Sequence, residues 1–110
     1  MTDKERAYGM IGLAARAGKA VSGSDSVTGA IRSGSVKLLI ITKDISGNSL
    51  DKILRNITGT DEIPCYCFGS SDELGDALGK PARAVAAITD KSFADGISAI
   101  LEKIGEEDNI

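Results

Sequence analysis

Apolar and polar positions along the chain follow two rhythms that alternate from the first residues to the last. Met10, Ala14 and Ala17 fall at helical spacing and predict a first helix from about Asp3 to Ala17, with Asp3 as cap and Gly18 just past its end. Ala20-Val21-Ser22 reads as a short strand. A second helix follows Ser24 or Asp25, turns Val27, Ala30 and Ile31 inward and stops at Gly34. The unbroken run Lys37-Leu38-Leu39-Ile40-Ile41-Thr42 suits a strand covered on both faces. Leu50, Ile53, Leu54 and Ile57 recur at i, i+3, i+4, i+7 and predict one buried stripe on a helix over roughly Asn48 to Ile57.

Pro64 opens a strand through Cys65-Tyr66-Cys67-Phe68. Ser70 with Glu73 three residues on forms a capping box, and the helix it starts ends at Gly79. Ala84-Val85-Ala86-Ala87-Ile88-Thr89 is a further buried strand, and Asp90 caps a last helix carrying Phe93, Ile97, Ile100, Leu101 and Ile104. Strands that alternate with helices and are apolar on both sides call for a helix–sheet–helix sandwich. Residues 1–105 read as one domain and residues 106–110 as an acidic, frayed tail.

Length agrees: 110 residues make one domain able to bury a core without staples. No apolar run approaches the roughly 18 residues that cross a membrane. The polar start Met1-Thr2-Asp3-Lys4-Glu5-Arg6 does not read as a secretory signal, so the expected location is the cytoplasm. The chain has no histidine, which removes Ser-His and Cys-His catalysis and the usual zinc protease motif. Cys65 and Cys67 are too few for a four-ligand zinc site and are expected to be buried core thiols. Asp44, Asp51, Asp61 and Glu62 form no facing pair, and Asp44, the best enzymatic candidate, reads as a turn or cap residue ahead of the third helix.

Net charge changes the picture more. The total of −3 argues against a polyanionic partner until it is resolved by position. Residues 1–60 hold nine basic and five acidic residues, whereas residues 61–110 hold four basic and eleven acidic ones. Within the basic half, Gly18 to Thr28 places a glycine-bracketed strand directly before a helix N-terminus, a ready site for an anion. Arg16, Lys19 and Lys43 are candidates to lie near it, and Arg32 shares a helix face with Gly29. An ordinary Ser or Asx cap with solvated lysines explains the same segment.

These residues also carry a likeness. Gly12-Leu13-Ala14-Ala15-Arg16-Ala17-Gly18-Lys19, Gly23, Ala30-Ile31, Gly34, Leu38-Leu39-Ile40-Ile41, Asp44, Ile63-Pro64, Glu73-Leu74-Gly75 and Leu78-Gly79 follow one another as in the L7Ae family of ribosomal proteins, which this chain resembles from about Tyr8 to Leu101. The resemblance implies a three-layer α/β/α fold with a mixed four-stranded sheet. It also implies a non-catalytic protein that recognises kink-turns in structured ribosomal or other non-coding RNA, and that needs no metal or organic cofactor. Neither DNA nor a membrane is expected as a partner, while the ribosome is a candidate one. In such proteins the start of the second helix meets the kinked loop through a Gly-x-Asn-Glu-x-x-Lys pattern.

Here that frame reads Gly23-Ser24-Asp25-Ser26-Val27-Thr28-Gly29, so Asp25 stands for Asn, Ser26 for Glu and Gly29 for Lys. Val21 and Ser22 replace two lysines common just upstream. An ionised Asp only accepts hydrogen bonds, and Ser lacks the charge-assisted strength of a carboxylate. The family's second surface, the loop that receives an extruded base, is Lys80-Pro81-Ala82-Arg83 in this chain. The implied RNA-binding set is therefore Lys19, Gly23, Ser24, Asp25, Ser26, Arg32, Lys43, Lys80, Pro81 and Arg83. The competing reading is a relative that has lost kink-turn affinity and works through protein contacts.

Overall fold

The computed structural model describes residues 1–58 and 63–108, with side chains as far as Gly105. In chain order it contains α1 (Asp3–Arg16), β1 (Ala20–Ser22), α2 (Ser24–Arg32), β2 (Leu38–Ile41), α3 (Gly47–Ile57), β3 (Cys65–Cys67), α4 (Ser71–Leu78), β4 (Val85–Ile88) and α5 (Lys91–Asp108). The sheet runs β1-β4-β2-β3, antiparallel except for the parallel β2–β3 pair. It is a mixed four-stranded sheet between two helical layers. On one face α1, α4 and α5 pack Ile11, Leu74 and Ile97 against Leu38, Ile40, Ala86 and Ile88. On the other, α2 and α3 bring Val27, Ile31 and Ile53 onto Leu39, Val85 and Ala87.

Local signals set most boundaries. Thr2, rather than Asp3, caps α1, in a capping box with Glu5. The Ser70–Glu73 box starts α4, and Gly79 in the left-handed region ends it. At the head of α5, the Phe93 N–H donates to the Asp90 carboxylate at 3.0 Å. That helix runs through Asp108, beyond the boundary drawn at residue 105, while residues 109–110 lie outside the described ones. Asp61 and Glu62 lie outside them too.

Two expectations about burial are corrected. Cys65 and Cys67 are exposed, not core thiols, because β3 is an outer strand and the layer of α2 and α3 stops short of it. Leu54 belongs to the α3 stripe by spacing, yet it is 45% exposed, and Ile53 is the buried residue of that helix.

Candidate nucleic-acid interface

The passage from β1 to α2 is built on Gly23. Its N–H donates to the Val85 carbonyl at 3.0 Å, closing the ladder with β4, and its carbonyl accepts from the Val27 N–H at 3.0 Å, opening the helix. To do both it adopts φ 88° and ψ 151°, a region of backbone space that is essentially glycine's own. The helix cap is thus Gly23 itself, and no side chain caps α2; the Ser or Asx cap that the sequence allowed is absent. A first helical turn has N–H groups without helical partners and the positive end of the helix dipole. At α2 those groups belong to the Ser24-Asp25-Ser26 stretch.

The side chains of that stretch differ in what they touch. The Ser24 hydroxyl donates to Ser49 on α3 at 3.3 Å, and the Ser24 carbonyl accepts from Thr28 at 2.6 Å. Asp25 is exposed and paired with Lys52 of α3. Hydrogen bonding from Lys52, and then its charge, hold the Asp25 carboxyl below its usual range. Ser26 is exposed.

Facing this turn is the loop from α4 to β4. The Lys80 N–H donates to Gly75 at 2.9 Å and the Arg83 N–H to Ser71 at 3.0 Å, so both ends of the loop are tied to α4. Gly75 makes the close approach possible, since a Cβ there would overlap the Pro81 carbonyl and lie 2.9 Å from Ala82 Cα. The Arg83 guanidinium lies along its own loop, donating to the Ala82 carbonyl at 3.2 Å.

A groove of about 420 Å³ joins the two segments, lined by Ser22, Gly23, Ser24, Asp25 and Ser26 on one side and by Ala82, Arg83, Ala84 and Val85 on the other. A neighbouring groove of about 320 Å³ shares Ser22 and is bordered by Arg16 and Lys80. Pro81 is exposed on the same loop. The structure therefore brings Gly23, Ser24, Asp25, Ser26, Lys80, Pro81 and Arg83 together, with Arg16 beside them.

It does not bring the other three cations there. Lys19 precedes β1, and its carbonyl accepts from Thr89 at the end of that strand opposite Gly23. Arg32 sits in the last turn of α2, bonded to Asn56 of α3 at 3.1 Å, and lines a separate groove with Lys37 and Lys91. Lys43 follows β2 at the Gly23 end of the sheet but borders a cleft with Lys4, Tyr66, Phe68 and Leu101.

Two further residues meet this segment without a local sequence signal: Ser49 lines the groove and Lys52 pairs with Asp25. Lys52 lies 27 residues from Asp25, and no spacing rule links the two. Asp44 has a different task from the one expected. It accepts from the Ser71 N–H at 2.9 Å and from the Ser71 hydroxyl at 2.8 Å, so it braces the start of α4, while Ser46 caps α3. Hydrogen bonding from Thr42 and then from Ser71 holds its carboxyl below the usual range. On the far side of α4, Lys4 forms an ion pair with Glu73 at 2.6 Å and is the main cause of that carboxyl's lowered pKa. The Tyr8 hydroxyl donates to Glu73 at 3.3 Å, and burial, then the Glu73 charge, push the phenol upward.

Comparison with known proteins gives this chain relatives. The model of the ribosomal protein L7Ae/L30e/S12e/Gadd45 family matches residues 5–97. RNA-binding protein YlxQ of Bacillus subtilis (strain 168) is 37% identical over 95 residues, covering 86% of this chain and 94% of its own. RNA-binding protein YlxQ of Enterococcus faecium is 32% identical over 100 residues, 91% of this chain and 95% of its own. A solved protein of unknown function from Bacillus halodurans superposes with a TM-score of 0.80 at 31% identity, over 87% of this chain and 96% of that one. The Giardia lamblia 15.5kD RNA binding protein shares the fold, with a TM-score of 0.74 at 17% identity over 96% of this chain and 91% of that one.

Proposed function

The chain belongs to the ribosomal protein L7Ae/L30e/S12e/Gadd45 family, and from that premise we propose that it is a non-catalytic, cytoplasmic RNA-binding protein that recognises a kink-turn or similar bend in a structured RNA. The observation that carries this reading is the groove in which the uncapped start of α2 faces Arg83. A phosphate or a base edge entering it meets helix N–H donors on one wall and a guanidinium on the other. Arg16 and Lys80 extend the positive border past Ser22. Lys52 tempers the cost of Asp25 by neutralising the carboxylate where RNA would approach. Ribosomal or other non-coding RNA is the substrate class the family points to, with a ribonucleoprotein particle as its setting.

The test is a fluorescence titration with a standard kink-turn RNA and with a straight duplex of equal length, at two salt concentrations. Sub-micromolar, salt-sensitive binding that prefers the kink-turn is the expected result. Each of Arg83→Ala and Lys80→Ala should flatten the salt dependence by about one unit of slope. Equal affinity for bent and straight RNA overturns the kink-turn assignment. Absence of RNA binding together with capture of a specific protein partner favours the protein-contact reading instead.

A further inference from the structure

We propose that Cys65 and Cys67 form a two-thiolate site for one soft monovalent cation, copper(I) or its analogue silver(I). Both cysteines are free and exposed. The register sets Cys65 opposite Leu39 and Cys67 opposite Ile41, so both thiols stand on the same face of β3, the face that α2 and α3 leave uncovered. Burial, and then the charge of the nearby Cys67, push the Cys65 thiol up.

Geometry and donor count select the ligand. On a strand, alternate residues lie about 6.6 Å apart with their Cβ atoms parallel. A disulfide needs Cβ atoms about 3.8 Å apart, so this pair stays a dithiol within one chain. A linear thiolate–metal–thiolate bridge with bonds about as long as the roughly 2.3 Å of zinc–thiolate would separate the sulfurs by about 4.6 Å, which the two side chains reach by leaning together. Among the described residues no group of three or more His, Cys, Asp or Glu side chains is placed to hold a metal. Two thiolates supply half of the four ligands zinc takes, whereas they are enough for a soft monovalent ion. Binding releases one proton from each thiol and leaves the bridged pair with one net negative charge, so affinity rises with pH.

The experiment is a titration of the reduced, full-length protein with silver(I) in chloride-free buffer, followed by native mass spectrometry and competition against a chromophoric chelator. One silver ion per chain is expected, with affinity falling by about 100-fold or more in each of Cys65→Ser and Cys67→Ser, because each variant removes one of two bonds. Circular dichroism confirms that these exposed substitutions leave the fold intact. Two ions per wild-type chain with one per single variant at equal affinity would mean independent thiols and overturn the proposal. So would one ion held between two chains, or unchanged binding in the double variant, which would point to the exposed Met1 thioether.

Discussion

The starts of α2 and α4 lie at the same end of the sheet and are finished in opposite ways. At α4, Ser70 and Glu73 form a complete capping box, and Asp44 takes both the N–H and the hydroxyl of Ser71. That helix start is closed by the protein's own side chains. At α2 a glycine stands at the cap, no side chain caps the helix, and the first turn opens into a groove. A short helix needs its end groups satisfied. The contrast is that the protein's own side chains close the start of α4 and leave the start of α2 uncapped, and the proposed RNA reading rests on it.

The strongest way to break the contrast is Gly75→Ala. Its Cβ would strike the Pro81 and Ala82 backbone, forcing the Arg83 loop away from α4. A loss of about 3 kcal/mol in denaturant unfolding, with RNA affinity falling alongside, is expected for such overpacking. Gly23→Ala comes next. No neighbour obstructs a Cβ there, so the cost is backbone strain alone, about 1–3 kcal/mol, and thermal melting reads it. Asp25→Asn sharpens the comparison from the other side. It restores a group that both donates and accepts at the open helix start, and should tighten kink-turn binding by about tenfold with little change in melting, a gain within the range of one base contact. Ser70→Ala should cost about 1 kcal/mol of stability and leave RNA affinity unchanged, because it touches only the closed start.

The smallest effects lie in pH. Asp25, Asp44 and Glu73 have lowered carboxyl pKa values, so their stabilisation is full above the ordinary carboxylate range and is lost as pH falls through the lowered values. Tyr8 is shifted the other way, so its share is full below about pH 10 and is lost as pH rises further. Equilibrium unfolding against pH should show Asp44→Asn flattening the acid limb and Tyr8→Phe the alkaline limb.

Much of this was legible in the residue order. The Ser70–Glu73 box, the Gly79 stop and the buried small-residue strand at Val85–Ile88 are local signals, and each held. The misplaced cysteines and cations, and the unforeseen long-range partners, trace to how the strands and layers assemble. Cys65 and Cys67 look like core residues in a short apolar run, but β3 is an edge, and periodicity carries no information about edges. Arg32 and Lys19 are close in sequence to Gly23, yet α2 and β1 carry them to the other end of the sheet. Asp44 serves a helix that begins 27 residues later, and Lys52 finds Asp25 across the same separation. Contacts of that span arise only when the layers assemble.

The position of β4 has a consequence for how the chain is made. β4, the fourth strand of this sheet in chain order, lies between β1 and β2, holding both by antiparallel pairing. Until Val85–Ile88 has emerged, the one strand pair available among the described residues is the parallel β2–β3, the kind of non-local pairing that forms slowly. Assembly of the sheet during synthesis thus waits on β4, and its arrival brings the open start of α2 and the Arg83 loop that faces it together in the same event.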